Sequence, residues 1–283
     1  MHRGAVIAIV LAASHAAGVD VVAERRAVAV AAAGAPPRGT CVFHLHVPKC
    51  AGTFVWRFLR SRFCPEEASI CNRAALAPPP RCQCVVNPIT DDAAVLAAIP
   101  AGGYRFASAH SRTPFQKSSA CALAVWFRDP VARVHSHFGY FTTKRGHNIT
   151  SLSSLYGGKR SPHWASNQQW ALLLPDHKVA GFRSPSDRER KRAAEELRSL
   201  AFVGIVEDMA ASLCAFASAY LGPKHAADLC APAVAVKKEN VAKKSTKLGD
   251  KDRAAVASHN KYDAALYDLA RAEFEARQRN RPR

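Results

Sequence analysis

Four short, largely apolar runs, Cys41 to Val47, Tyr104 to Ala109, Cys121 to Phe127 and Ala201 to Val206, read as short buried strands. Runs of this kind are buried on both sides, as parallel strands are between layers of helix. Amphipathic segments follow most of them. After the first, "TFVWRFLRSRF" groups Phe54, Val55, Phe58 and Leu59 on one face and leaves Arg57, Arg60 and Arg62 elsewhere. After the third, "DPVARVHSHFGYF" offers Asp129 as N-cap, Pro130 at the first helical position, and Val131, Val134 and Phe138 as a buried stripe. Near the C-terminus, "NKYDAALYDLARAEFEAR" spaces Tyr262, Leu266 and Leu269 for one face. Strand, turn and helix in repetition imply an α/β class: a single domain with a central parallel sheet flanked by helices. The polar stretch from Thr143 to Pro162 reads as a surface loop, and no internal repeat is present.

The 283 residues suit one such domain, over residues 38–280, once residues 1–35 are set aside. Those first residues open with a short basic start, continue as an apolar run from Gly4 to about Ala17, and end in small residues and a "GAPPRG" linker. They read either as a cleaved secretory signal peptide or, if Gly18 to Ala23 extends the run at the cost of His15 and Asp20, as an uncleaved signal anchor. Nine cysteines and one glycosylation sequon, Asn148-Ile149-Thr150, agree with an oxidising compartment. Cys64, Cys71, Cys82 and Cys84 crowd a proline-rich segment at spacings unlike a zinc site, which favours disulfides in a loop-rich excursion. Cys214 and Cys230 suit another bridge, whereas Cys41, Cys50 and Cys121, in or beside strands, read as buried thiols.

Lys and Arg number 40 against 22 Asp and Glu, a net charge of +18, so the partner expected is a polyanion. With no RNP-like aromatic motif, no zinc-finger spacing and no heptads after a basic helix, nucleic acid is not expected. An acidic glycan fits better.

Ligands of open parallel sheets sit beyond the carboxyl ends of the strands. There the sequence sets Lys49, His110, Arg128 and Glu207, one after each apolar run. Two cations, a titratable base and a carboxylate facing one crevice suit an anionic donor and an acceptor that must lose a proton. The turn around Lys49 leads into a helix N-terminus, which favours a phosphate-like group. Its lysine precedes the glycine, unlike the G-x-x-x-x-G-K-[ST] loop of nucleotide triphosphatases.

"HVPKCAGT" resembles the 5′-phosphosulfate loop of the Golgi-type carbohydrate sulfotransferases that use 3′-phosphoadenosine 5′-phosphosulfate (PAPS), commonly H-[IV]-P-K-[TA]-[AG]-G-T. "VWFRDPVARVHSHFGYF" resembles their 3′-phosphate motif, R-D-P-x-x-R-x-x-S-x-[YF], and "FVGIVEDMAASL" a later F-V-G-x-x-E segment. The three occur in the family's order between about Cys41 and Phe274. The resemblance implies a P-loop-like sulfotransferase fold and PAPS as co-substrate, with no metal required. It implies that Pro48, Lys49, Cys50, Ala51, Gly52 and Thr53 wrap the phosphosulfate and that Arg128 and Ser136 bind the 3′-phosphate. Cys50 stands where threonine is commoner, and Phe54 where Ser or Thr is common. The stretch "KKENVAKKSTKLGD" is loosely similar to the donor-closing loop, which implies Lys243 or Lys247 as a further contact.

In the family's reaction, charge gathers on the leaving phosphate oxygen, and Lys49 is the cation that meets it. The acceptor hydroxyl needs a base, a task suited to an imidazole with an ordinary pKa of ~6.5. His110 in "YRFASAHSRTPF" resembles the catalytic histidine of heparan sulfate O-sulfotransferases. The implied enzyme works in the Golgi lumen, membrane-anchored or secreted, on a hydroxyl of a glycosaminoglycan-like polysaccharide. Two other classes compete: a non-catalytic secreted binder of acidic glycan, and a P-loop nucleotide-dependent kinase, which the lysine spacing disfavours. Plainer roles also stand beside the sharp ones. His44 and His46 suit core or supporting positions better than metal ligation, His135 and His137 a helix surface, Glu207 a cap or local ion pair, and Lys237 to Lys247 a solvated basic face.

Overall fold

The first apolar run forms β1 (Cys41–Leu45), all five of its residues buried, the polar His44 included, as in a strand covered on both faces. The computed structural model describes residues 41–64, 70–71, 84–89, 105–110, 121–144, 151–156, 163–174, 185–231 and 248–280. The N-terminal signal segment, the Asn148 sequon, Cys82, Lys243, Lys247 and the run from Lys237 to Lys247 lie outside the described residues.

β1 is joined by β2 (Ile70–Cys71), β3 (Cys84–Ile89), β4 (Phe106–Ala109), β5 (Cys121–Phe127) and β6 (Phe202–Ile205). Together they make a six-stranded sheet in the order β2-β3-β4-β1-β5-β6, with every pairing parallel. The α/β class and the parallel sheet flanked by helices are therefore present. β1 is central, with Leu45 level with Ala109 of β4 and Val125 of β5. The chain builds one side of β1 through β4 and then crosses to the other side for β5, so the strand order reverses at β1.

Two points differ from expectation. The cysteine-rich excursion contributes the edge strand β2 and leads into β3 beside it, where Cys84 is fully buried and tied by a disulfide to Cys64 at the end of the first helix. Cys41 and Cys121 are not thiols but a disulfide between directly opposed residues of β1 and β5. Their sequence separation of 80 had hidden a contact that the register makes inevitable. Cys214 pairs with Cys230 as expected, and Cys50 is the free, buried cysteine among the described residues.

Helix α1 (Gly52–Phe63) buries Val55, Leu59 and Phe63, spaced by four, against the sheet, with Phe54 and Phe58 half-buried beside them. Helix α2 (Pro130–Lys144) starts as its sequence dictates, with the Asp129 carboxylate accepting the Ala132 N–H at 2.7 Å. Val134 of α2 joins Leu152, Trp164 and Val256 in a second apolar cluster, so the polar stretch after α2 carries a buried anchor at Leu152 rather than a wholly exposed loop. After α3 (Gln168–Leu173), α4 (Asp187–Ser199) opens with a full capping box, Ser186 and Glu189 each satisfying the other's backbone. Helices α5 (Met209–Phe216), α6 (Pro223–Cys230), α7 (Asp250–His259) and α8 (Lys261–Arg279) complete the described α-helices. The buried face of α8 is Asp263, Leu266, Tyr267, Ala270 and Phe274, so Tyr262 and Leu269 flank it instead of defining it.

Gly204 of β6 lies under the Trp126 indole, where any Cβ would overlap the ring. Trp126, Phe202 and Phe216 pack around it with ring centroids 5.0 to 5.6 Å apart.

Candidate functional site

Because all six strands run the same way, the residues after β4, β1, β5 and β6 emerge at one edge of the sheet. His110, Lys49, Arg128 and Glu207 arrive there in that lateral order. The turn from Pro48 to Ala51 is tight: Cys50 N–H donates to the Val47 carbonyl at 3.1 Å. Lys49 and Ala51 both have positive φ, 67° and 55°, without being glycine. Each such residue costs about 1 to 2 kcal/mol, and strain of this sort is held where the surroundings enforce a particular path. Ala51 gives α1 no side-chain cap. The N–H groups that open α1, at Gly52 and Thr53, thus face the same turn.

Gly52 is glycine for steric reasons: a Cβ there would run into the His46 imidazole. That ring stacks between its neighbours, 5.7 Å from His44 and 4.2 Å from His110, centroid to centroid. His44 is buried, hydrogen-bonded to Ser108 Oγ at 3.0 Å, and burial with His110 nearby pushes its pKa down to about 3. Burial, then His110, His44 and Lys49, lower His46 well below the ordinary value. Both rings are therefore neutral supports. His110 differs in that its Nδ1–H donates to the His46 carbonyl at 2.7 Å, which sets the tautomer and leaves the lone pair of the neutral ring on Nε2.

Lys49 places Nζ 3.9 Å from the centre of the Tyr140 ring on α2. Its pKa is lowered to about 8, first by burial and then by Arg128. Arg128 donates from Nη1 to the Lys49 carbonyl at 3.0 Å and holds Nε 3.9 Å from Glu207. Glu207 in turn accepts the Asp129 N–H at 3.2 Å and the Tyr267 hydroxyl at 2.8 Å. It serves as a local anchor, the plainer of its two readings. Ser136 is half-buried on α2, one turn before Tyr140 and hence on the face that reaches Lys49. Cys50 points into the core, its thiol pushed up to about 12 by burial and donating to Gln169 at 3.3 Å.

Three residues that sequence reasoning missed hold this edge together. Gln169, on α3, accepts the Arg128 N–H at 2.9 Å and donates to the Arg128 carbonyl at 2.8 Å. Asp263, on α8, accepts the N–H groups of Gln169 and Trp170 at 3.0 and 2.8 Å. Arg133, fully buried on α2, approaches Asp263 at 4.0 Å and donates to Gln168 and to the Trp164 carbonyl. A signal existed for Arg133, an arginine beside the buried Val134 on the apolar stripe of α2, and for Asp263, an acid on the apolar face of α8. Nothing marked Gln169. His137 also departs from its surface reading: it is buried against Phe141 and Trp164, at 5.0 and 4.9 Å.

Among the described residues no group of three or more His, Cys, Asp or Glu side chains is arranged to hold a metal ion. No family model and no curated protein matches the chain. Three disulfides among the described residues fit an oxidising, secretory or extracellular environment. None of the described helices is long and apolar enough to cross a membrane.

Proposed function

We propose that the chain is a PAPS-dependent sulfotransferase that moves a sulfuryl group to a hydroxyl of an acidic glycan in the secretory pathway. The observation that carries this reading is the hydrogen bond from Arg128 to the Lys49 carbonyl, which joins the two basic motifs at the edge where the strand order reverses. The donor has two separated anionic ends, and two adjoining cationic groups answer them. The turn and the first N–H groups of α1 receive the 5′-phosphosulfate. Arg128, together with Ser136 on α2, takes the 3′-phosphate, for which a planar guanidinium is well shaped.

In the reaction the acceptor hydroxyl attacks sulfur in line. The bond from sulfur to the bridging oxygen breaks as the new S–O bond forms. The hydroxyl proton passes to Nε2 of His110, and the electron pair stays on the 5′-phosphate oxygen, where Lys49 meets the added charge. His46, held neutral, supports the base through its carbonyl without competing for the proton.

Titration of the purified protein with 3′-phosphoadenosine 5′-phosphate and with ATP tests the donor. Preference for the former is expected, and preference for ATP or binding of neither overturns the reading. Desulfated glycan arrays with radiolabelled PAPS test the acceptor. Transfer only to peptide tyrosine removes the glycan assignment, and donor-product binding with no transfer to any acceptor leaves a binding protein.

A further inference from the structure

Gln169 is fully buried, and its one side-chain amide makes three bonds that converge on the candidate site from beneath. Its Oε1 accepts the Arg128 N–H at 2.9 Å and the Cys50 thiol at 3.3 Å, and its Nε2 donates to the Arg128 carbonyl at 2.8 Å. Arg128 follows β5 and Cys50 lies in the turn after β1, so the amide ties the ends of two neighbouring strands together. Only a side chain with adjacent acceptor and donor can clamp both backbone groups of one residue. The amide is itself fixed, since Asp263 holds the Gln169 N–H at 3.0 Å.

We propose that Gln169 is a positioning residue that sets the spacing between the Lys49 turn and Arg128, and so selects ligands carrying two phosphate groups over ligands carrying one. This rests on the donor reading above. The physical basis is the chelate effect: two grips help each other only while their separation matches the ligand, and pre-setting that separation removes the ordering cost of binding. Freed from the amide, the strand end and the turn each keep their own charge. A ligand using one grip loses little, whereas a ligand spanning both loses the advantage of the second. The Cys50 thiol, protonated in its buried setting, is the donor that links the turn to the clamp.

The test is calorimetric titration with 3′-phosphoadenosine 5′-phosphate and with adenosine 5′-phosphate, on the wild type, Gln169→Leu and Ser212→Ala. Ser212 is a control of the same kind, because its hydroxyl donates to the Ile205 carbonyl and accepts the Ile205 N–H within the core at β6 and α5. Gln169→Leu is expected to weaken the bisphosphate 10- to 100-fold and the monophosphate less than 3-fold. Ser212→Ala should lower the thermal midpoint and leave both affinities within 3-fold. Where Gln169→Leu does not fold, Gln169→Glu serves, since it keeps the acceptor and loses the donor to Arg128. It should weaken the bisphosphate selectively as well. Equal loss for both nucleotides, unchanged bisphosphate affinity, or an equal effect of Ser212→Ala overturns the inference while leaving the donor reading intact. A wild type that binds neither nucleotide removes the donor reading first, and this inference with it.

Discussion

Lys49 and Arg128 touch, yet only one of their proposed partners gains charge during transfer. The 3′-phosphate carries the same charge throughout, whereas the bridging oxygen becomes anionic only as sulfur leaves. Arg128→Ala is therefore expected to weaken donor-product binding by about 1.5 to 3 kcal/mol, the worth of a hydrogen bond to a charged group. Lys49→Ala is expected to lower kcat by ~10²- to 10³-fold, and unaltered turnover would sink its assigned role. The lowered pKa of Lys49, about 8, adds a pH signature. Below that value the ammonium is intact, and above it the turn loses its cation, so kcat/KM should fall as pH rises through about 8. Lys49→Arg should abolish this alkaline limb, because a guanidinium stays charged, and a limb that persists assigns it to another group. For His110 the geometry puts the basic lone pair on Nε2. His110→Ala should cut turnover by ~10²- to 10⁴-fold with donor-product affinity unchanged, and near-normal turnover in the folded variant sends the search for a base elsewhere.

Among the elements, α8 does the least visible work. It carries no residue of the strand edge, but its Asp263 orients α3 through two backbone N–H groups and meets the buried Arg133 of α2. Burial pushes the Asp263 carboxyl up, against the pull of Arg133 and those donors, and pushes the Arg133 guanidinium down. Removing one member of such a pair leaves the other buried without its counter-charge, which costs about 3 to 5 kcal/mol. Asp263→Ala should therefore lower the free energy of urea unfolding by that amount, and a loss under 1 kcal/mol would show that Arg133 finds its compensation in Gln168 and Trp164 alone. The short helix α3 is the element that sequence reading did not anticipate as a support. Six residues with no basic or acidic character give no amphipathic signal of their role.

Across the whole molecule, the Cys41–Cys121 bridge staples the central strand to its neighbour on the far side of the order reversal. Closing a loop of this length restricts the unfolded chain, and such bridges are typically worth about 2 to 5 kcal/mol. The double variant Cys41→Ser, Cys121→Ser should lose stability in that range by urea unfolding, with β1 and β5 still paired. An unchanged unfolding curve would mean the staple does not form in the native protein. The global charge of +18 acts differently, over distance rather than in contacts, and suits encounter with a polyanion.

The sequence by itself determined the class of the fold and which residues stand at strand ends. Short, largely apolar runs have few ways to hide both faces, and Asp129-Pro130 can start a helix without help. That is why Lys49, His110, Arg128 and Glu207 were legible as one edge before any strand had a neighbour. Pairing and burial were decided only in three dimensions. The Cys41–Cys121 bridge needs the register of β1 against β5, the strands β2 and β3 are defined by parallel pairing out from β4, and the need for Gly52 appears only when His46 is seen occupying the space of its missing side chain. Gln169 is the clearest case: its amide matters because it lies within hydrogen-bond reach of residues 41 and 119 positions away, and local sequence carries no record of a contact that long.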